Sequence, residues 1–426
     1  MNDDGQNHKG LTVALTSVTT LFFAWGFITS LIDPLIPSVR AIFSLSYAES
    51  MLTQSAYFIA YGVVSLPAAA MVARAGYSRS ILIALFVMIA GCAFMPVATH
   101  LNAYPLVLLA LFIIASGVTV LQVAANPLAA ALGKPERSHL RLTLSQAFNS
   151  LGTVLGPYFG ALIMLQGGVF AAKEGMAEAA HRNESLRNID TSFLMIVVLL
   201  ALLMLLIFWS RRRINAYAPA PTHERAPVLN ALKSRWALLG AAAIFLYVGA
   251  EVSIGSLMIN FLHQPDVLDV TLAKAGTYLS LYWLGAMVGR FVGTGLLARV
   301  SAPKLLMIAA AVAALLCLTV SQIDGALAGW AALSIGLFNS IMFPVIFTVT
   351  LERSTASLAA TSGLLCVAIV GGAVLPPIVG RIADTVGLHA AFVVPMIAYV
   401  LISVFAFGAA RARIASTTPA VREMAH

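Results

Sequence analysis

The chain is 426 residues long, 60% hydrophobic and only 10% charged, with a formal net charge of +8. Soluble globular domains carry roughly a quarter charged residues, so this composition excludes a string of water-soluble domains and defines a polytopic membrane protein. The basic excess does not point to nucleic acid, because the Lys and Arg residues fall between apolar runs, where they set topology by the positive-inside rule.

The first run, Leu11 to Val39, exceeds the roughly 20 residues needed to cross a bilayer core and holds a single charge, Asp33. An ionised carboxylate in lipid costs about 3 kcal/mol on insertion scales and is kept where it faces a water-filled cavity. Trp25, Thr29 and Asp33 share one helix face, and Pro34 and Pro37 weaken the helix just beyond the acid. The alternative for Asp33 is a helix-end carboxylate among the outer headgroups; kink and tilt decide between the two. The preceding MNDDGQNHKG has no basic n-region, so the run is expected to stay attached as a transmembrane helix and not to be removed as a signal peptide.

Span 2 then runs from about Met51 to Val72 and is closed by Arg74 and Arg79. Span 3 covers Ile81 to Ala98, and span 4 covers Tyr104 to Leu132 with Asn126 and Pro127 inside it. A basic loop with Lys134, Arg137 and Arg141 leads to span 5, Leu142 to Leu165. The polar segment Gln166 to Asp190 has no basic excess, and span 6 is Ser192 to Trp209. The segment 211–235 holds six basic residues against Glu224 alone and has the Ala/Pro-rich middle of a flexible linker. Six more runs follow: Trp236 to Leu262, Ala275 to Leu297, Leu305 to Val320, Leu327 to Leu351, Thr361 to Ile382 and Ala390 to Ala409. The basic loops after spans 2, 4, 6, 8 and 10 place both termini in the cytoplasm.

Twelve spans divide into two halves that repeat. Gly152, Pro157 and Gly160 in span 5 recur as Gly372, Pro377 and Gly380 in span 11, 220 residues on (372 minus 152). Gln122 stands five before Pro127 in span 4, and Asn339 five before Pro344 in span 10. Arg74 and Arg79 closing span 2 correspond to Arg299 and Lys304 closing span 8. Three matches at nearly constant displacement indicate a duplicated six-helix unit. The expected architecture is all-α, with an N-terminal half over 1–210, a cytoplasmic linker over 211–235, a C-terminal half over 236–410 and a tail over 411–426. Two such halves are the architecture of major facilitator transporters, whose substrate lies between the halves near the midplane.

Polar side chains inside the spans name the ligand class. Gln122 and Asn126, and Gln146 and Asn149, each share one helix face. Glu251 lies one turn after Tyr247, while Gln54, Tyr57 and Tyr61 form a stripe in span 2; span 8 carries Tyr282 and Trp283, and span 10 carries Asn339. Carboxamides offer donors and acceptors, and aromatic rings cover the apolar face of a sugar ring, so the inventory suits an uncharged, polyhydroxylated solute. Each has a plainer role open to it: an interhelical hydrogen bond for the amides, support of the Pro127 kink for Asn126, headgroup anchoring for the aromatics. Glu251 is open to three roles: second proton site, sugar acceptor or structurally paired acid. Arg290 snorkels or forms a structural ion pair. Cys92, Cys317 and Cys366 lie in separate apolar runs without a CxxC, so neither a disulfide nor a metal site is indicated. No nucleotide loop or nucleophile arrangement is present, since GGAVLPPIVG lacks the Lys-Ser/Thr of a phosphate loop; an enzyme is not expected and no cofactor is called for.

The stretches FFAWGFITSLIDPLIP, SLPAAAMVARAGY, LQVAANP, RLTLSQAFNSLGT, YVGAEVSIGS, YWLGAMVGRFVG, GLFNSIMFP and AIVGGAVLPP resemble the fucose:proton symporter family of the major facilitator superfamily, which includes bacterial glucose/galactose transporters. The resemblance covers most of both halves. It implies that Asp33 takes the coupling proton and that Gln146 contacts sugar. The chain departs from the fucose branch at Gln122, where that branch has an acid, and at Ile32, where it has an Asn; the sequence is more similar to the glucose/galactose and amino-sugar branches, which share the Gln. The expectation is a monomeric, multi-pass inner-membrane carrier that couples a neutral monosaccharide to a proton through Asp33, with Glu251 behind it. Its sugar contacts would come from Gln122, Asn126, Gln146, Asn149, Glu251, Asn339, Tyr57, Tyr61, Tyr282 and Trp283. An N-acetylhexosamine or fucose symporter, an uncoupled sugar facilitator and a drug/proton antiporter are the alternatives.

Overall fold

The computed structural model describes residues 3–132, 138–167, 178–218 and 228–412, and among the described residues there is no strand. Lys134 and Arg137 of the expected basic loop, positions 168–177 of the polar segment after span 5, the centre of the expected linker (219–227) and the tail beyond 412 lie outside the described residues. The helices in chain order are α1 (Asp3–Ser30), α2 (Ile32–Phe43), α3 (Tyr47–Ser50), α4 (Leu52–Ala75), α5 (Tyr77–His100), α6 (Tyr104–Ala131), α7 (Ser138–Met164) and α8 (Glu178–Tyr217). They continue as α9 (Arg235–His263), α10 (Leu272–Leu297), α11 (Ala302–Gln322), α12 (Ala326–Asn339), α13 (Met342–Arg353), α14 (Leu358–Val367), α15 (Gly371–Val386), α16 (Leu388–Ala391) and α17 (Val393–Arg411).

Among the described residues, 11 helical segments are long and apolar enough to cross a membrane. The twelfth expected span is α10, a helix of 26 residues whose Tyr278, Tyr282, Trp283 and Arg290 make it less apolar than the others. Phe86, Leu202, Leu315 and Val404 are each at least 61% exposed, an apolar surface suited to acyl chains and not to water.

Proline marks the break in two of the spans. Span 1 is interrupted at Leu31, between α1 and α2. The expectation of a weak point beyond Asp33 is corrected here: the break falls before the acid, because Pro34 has no N–H to give to the carbonyl of Ser30, four residues back. Asp33 consequently sits in the first turn of α2, and the single face expected for Trp25, Thr29 and Asp33 crosses the break. Span 10 breaks by the same rule, since Pro344 withholds an amide from Ser340 and the interruption lies at 340–341, between α12 and α13. In span 11 a 3-10 turn, Ala368–Val370, separates α14 from α15.

The chain forms two compact units, Met1–Phe43 with Ile59–His223, and Ser44–Phe58 with Glu224–His426. In the first, α1 packs on α7, α5 on α6, and α5 on α8; in the second, α9 packs on α15, α11 on α12, and α11 on α17. These are the same pairs of spans counted from the start of each half, as a duplicated unit requires. Glycine permits the closest approaches: a Cβ on Gly152 would collide with the carbonyl oxygen of Phe23, and one on Gly371 with that of Phe245. Such backbone-to-backbone contact is how transmembrane helices associate where lipid is as apolar as leucine.

Ser44–Phe58 docks on α15 within the second unit. Ser46 and Glu49 form a reciprocal capping box at α3, and the Asp384 carboxylate accepts from the amides of Tyr47 and Ala48 at 2.7 and 2.9 Å. The Ser55 hydroxyl donates to the Ala373 carbonyl at 2.6 Å, the oxygen that Pro377 leaves without its helical donor. Gln54 donates from Nε2 to the Ser256 hydroxyl at 2.9 Å.

Candidate functional site

In the first unit, α4 and α6 bring Tyr61 and Gln122 together. Gln122 Nε2 donates to the Tyr61 hydroxyl oxygen at 2.7 Å; Tyr61 is nearly buried and Gln122 partly exposed. One turn on, Asn126 Oδ1 accepts from Gln146 Nε2 at 3.4 Å, so the amides of α6 and α7 meet across their helices. Asn149, on the same face of α7 as Gln146, turns elsewhere: its Nδ2 donates to the Phe22 carbonyl at 3.0 Å, where it packs beside Gly26. One of its N–H groups therefore joins α7 to α1. Asp33 is 5% exposed, and as an acid in the first turn of α2 it lies at the positive end of that helix's dipole.

In the second unit, α9, α10 and α12 build a tighter cluster. Asn339 Nδ2 donates to the Tyr282 hydroxyl oxygen at 2.7 Å, and both side chains are fully buried. The Tyr247 hydroxyl lies 2.7 Å from Glu251 Oε1 and 3.1 Å from the main-chain oxygen of Asn339. The Tyr282 hydroxyl also lies 3.5 Å from the Glu251 carbonyl. Trp283 stacks edge-on against Tyr282, centroids 5.1 Å apart, and is partly exposed. Tyr57 is fully buried and packs its ring against Phe58 at 5.8 Å. Arg290 is exposed.

The two clusters repeat one device. Tyr61 accepts from Gln122, and Tyr282 accepts from Asn339; the residues of the second pair follow those of the first by 221 (282 minus 61) and 217 (339 minus 122) positions. Sequence alone pairs Gln122 with Asn339 through their prolines, but not the tyrosines that hold them. It also places Tyr247 one turn before Glu251 without bringing in the Asn339 carbonyl, which lies 92 positions further along. Tyr399, fully buried on α17 near this cluster, carries no signal in the sequence beyond its aromatic character.

Duplicated helical units, proline-broken spans and carboxamides gathered on tyrosines are features of a membrane carrier. The family model of the Major Facilitator Superfamily matches residues 18–365, and the chain belongs to that superfamily. Within it, the chain is 43% identical to a glucose/galactose transporter of Brucella abortus biovar 1 (strain 9-941) over 412 residues, 95% of this chain and 96% of that protein. It is 30% identical to the L-fucose-proton symporter of Escherichia coli (strain K12) over 420 residues, 95% of this chain and 94% of that one. The crystal structure of FucP, a major facilitator superfamily transporter in the outward conformation, superposes with a TM-score of 0.69 at 27% identity, covering 95% of this chain and 100% of that one. The resemblance read from the span motifs and the all-α fold expected from the repeat are both borne out.

Proposed function

We propose that the chain imports a neutral hexose of the glucose/galactose type together with a proton, by alternating access. The observation that carries this reading is the pair of carboxamide–tyrosine bonds, one in each unit, in a chain whose spans also contain the carboxyls Asp33 and Glu251. Uncharged amides suit sugar hydroxyls, while a carboxyl within a span is costly and kept for a task such as carrying a proton. The chain lies in an inner membrane with both termini cytoplasmic, as the basic loops require. It acts as a monomer.

In the outward-open form, water protonates Asp33. Sugar then engages Gln122, Asn126, Gln146, Asn149, Glu251 and Asn339, with Tyr57, Tyr61, Tyr282 and Trp283 covering the ring. The neutralised, loaded carrier passes to the inward-open form, because an ionised carboxylate disfavours occlusion. One proton moving down about 100 mV and one pH unit supplies roughly 2.3 plus 1.4 kcal/mol, enough for accumulation of several hundredfold. Uptake of labelled D-glucose and D-galactose into proteoliposomes, with and without an imposed proton gradient, tests the reading. Gradient-driven accumulation is expected, and Asp33→Asn should abolish it while sparing sugar exchange. Equal uptake in the two conditions would leave an uncoupled facilitator.

A further inference from the structure

Hydrogen atoms can be counted around Tyr247. Its hydroxyl has one, yet its oxygen lies within hydrogen-bond distance of two others, Glu251 Oε1 at 2.7 Å and the Asn339 carbonyl at 3.1 Å. A main-chain carbonyl only accepts, and an ionised carboxylate only accepts. If Glu251 is ionised, one of these two contacts has no hydrogen in it. If Glu251 is protonated, its O–H donates to Tyr247 and the Tyr247 O–H donates to Asn339, so both contacts are satisfied. Tyr247 is 3% exposed, which leaves little room for water to make up the difference.

The Asn339 carbonyl belongs to a sensitive place. Asn339 is the last residue of α12, just before the interruption ahead of α13, where carbonyls have no donor from their own helix. Its side chain is fully buried, with Nδ2 on Tyr282 and no hydrogen-bond partner for Oδ1 among the described residues. The other ionisable groups that act on this cluster are Tyr282 and Arg290 from α10, Tyr399 from α17 and, beside Tyr399, Cys317 from α11. Phenols, thiols and guanidinium groups keep their protons over the range in which carboxyls exchange theirs, so Glu251 is the group of the cluster that can gain or lose a proton while the others hold theirs.

We propose that Glu251 holds a proton in this conformer and that Tyr247 is the positioning residue that transmits its loss to the break in span 10. Protonated Glu251 frees the Tyr247 hydrogen for the Asn339 carbonyl, which ties α9 to the end of α12 and fixes the Asn339 carboxamide for a sugar hydroxyl. When Glu251 releases its proton to water, the Tyr247 hydrogen turns to the carboxylate, the stronger acceptor, and the Asn339 tether is lost. The inference rests on the reading of the chain as a proton-coupled sugar carrier. It adds the route by which a proton on one residue alters a sugar contact on another.

The test is equilibrium binding of labelled D-galactose and D-glucose to the full-length protein in lipid nanodiscs, between about pH 5 and about pH 9, with gradient-driven uptake measured in parallel. Wild-type affinity is expected to fall as pH rises. Glu251→Gln, whose amide donates to Tyr247 as the protonated acid does, should bind with an affinity that no longer changes with pH and lose accumulation. Tyr247→Phe should bind about fivefold to tenfold more weakly at low pH, the loss of one hydrogen bond, with its pH dependence flattened. Infrared difference spectroscopy between the wild type and Glu251→Gln at low pH supplies an independent reading: a protonated-carboxyl band from Glu251, with the contribution of Asp33 common to both proteins and cancelled. Wild-type pH dependence retained in either variant, or a difference spectrum without a protonated-carboxyl band, overturns the inference. A wild type that binds or accumulates neither sugar overturns the transport reading instead, so the two failures are distinct.

Discussion

Tyr282→Phe and Tyr61→Phe remove the same atom from equivalent bonds, each 2.7 Å long, yet burial predicts unequal costs. Asn339 is fully buried and its Oδ1 already lacks a partner, so removing the Tyr282 hydroxyl leaves a dry carboxamide without its acceptor. An orphaned buried donor costs about 1–3 kcal/mol. Gln122 is partly exposed, so its amide can turn to water after Tyr61→Phe, and only the net value of a hydrogen bond, about 0.5–1.5 kcal/mol, is lost. The comparison is made by equilibrium denaturation in detergent micelles, followed by tryptophan fluorescence, with Asn339→Leu combined with Tyr282→Phe as the decisive variant. Replacing both partners by apolar groups of similar shape removes the unsatisfied donor, so the double variant should be more stable than Tyr282→Phe alone. If Tyr61→Phe proves as costly as Tyr282→Phe, or the double variant recovers nothing, buried desolvation is not what these pairs relieve.

Gly26→Ala and Gly152→Ala each drive a methyl group into a main-chain carbonyl, of Asn149 and Phe23 respectively, and should cost at least about 1–3 kcal/mol by overpacking. Gly295→Ala in α10, with nothing within 4 Å of the added methyl, is the control whose apparent melting temperature should not fall; a comparable loss there would remove close approach as the cause. Ser55→Ala exposes the proline-freed Ala373 carbonyl and should cost about 1 kcal/mol in the same denaturation assay, whereas Ser65→Ala, whose hydroxyl folds back on the Tyr61 carbonyl of its own helix, should be nearly neutral. Arg353 is 5% exposed and donates from Nε to Ala409 and from a guanidinium nitrogen to Val349, beside Glu352 at 2.6 Å. Arg353→Lys keeps the charge but not this fork of donors, so it should destabilise by about 1–3 kcal/mol; full stability would mean that charge alone matters there.

The spans were legible because about 20 apolar residues in a row have few other uses, and even α10, the least apolar, is carried by its leucines and glycines. The breaks were half legible. A proline marks a missing amide, but the carbonyl left without a donor lies four residues earlier, so Pro34 acts at Ser30 and Pro344 at Ser340, upstream of the residues that draw the eye. Nor does every proline break its helix: Pro67, Pro96, Pro127 and Pro157 lie inside α4, α5, α6 and α7, which run unbroken. Within the site, helical spacing shows which side chains share a face but not what that face meets. Gln146 and Asn149 are three apart, yet one reaches Asn126 on α6 and the other the Phe22 carbonyl on α1. The Tyr247 to Glu251 contact could be read from one helix, while its third member had to come from packing. That packing has a local cause, since Gly336, one turn before Asn339, lies against the Tyr282 carbonyl where a Cβ would collide. A small residue one turn from a buried carboxamide lets α12 approach α10 closely enough for Asn339 to reach the Tyr282 hydroxyl, and it is the feature of GLFNSIMFP that most directly converts spacing along the chain into a contact across helices.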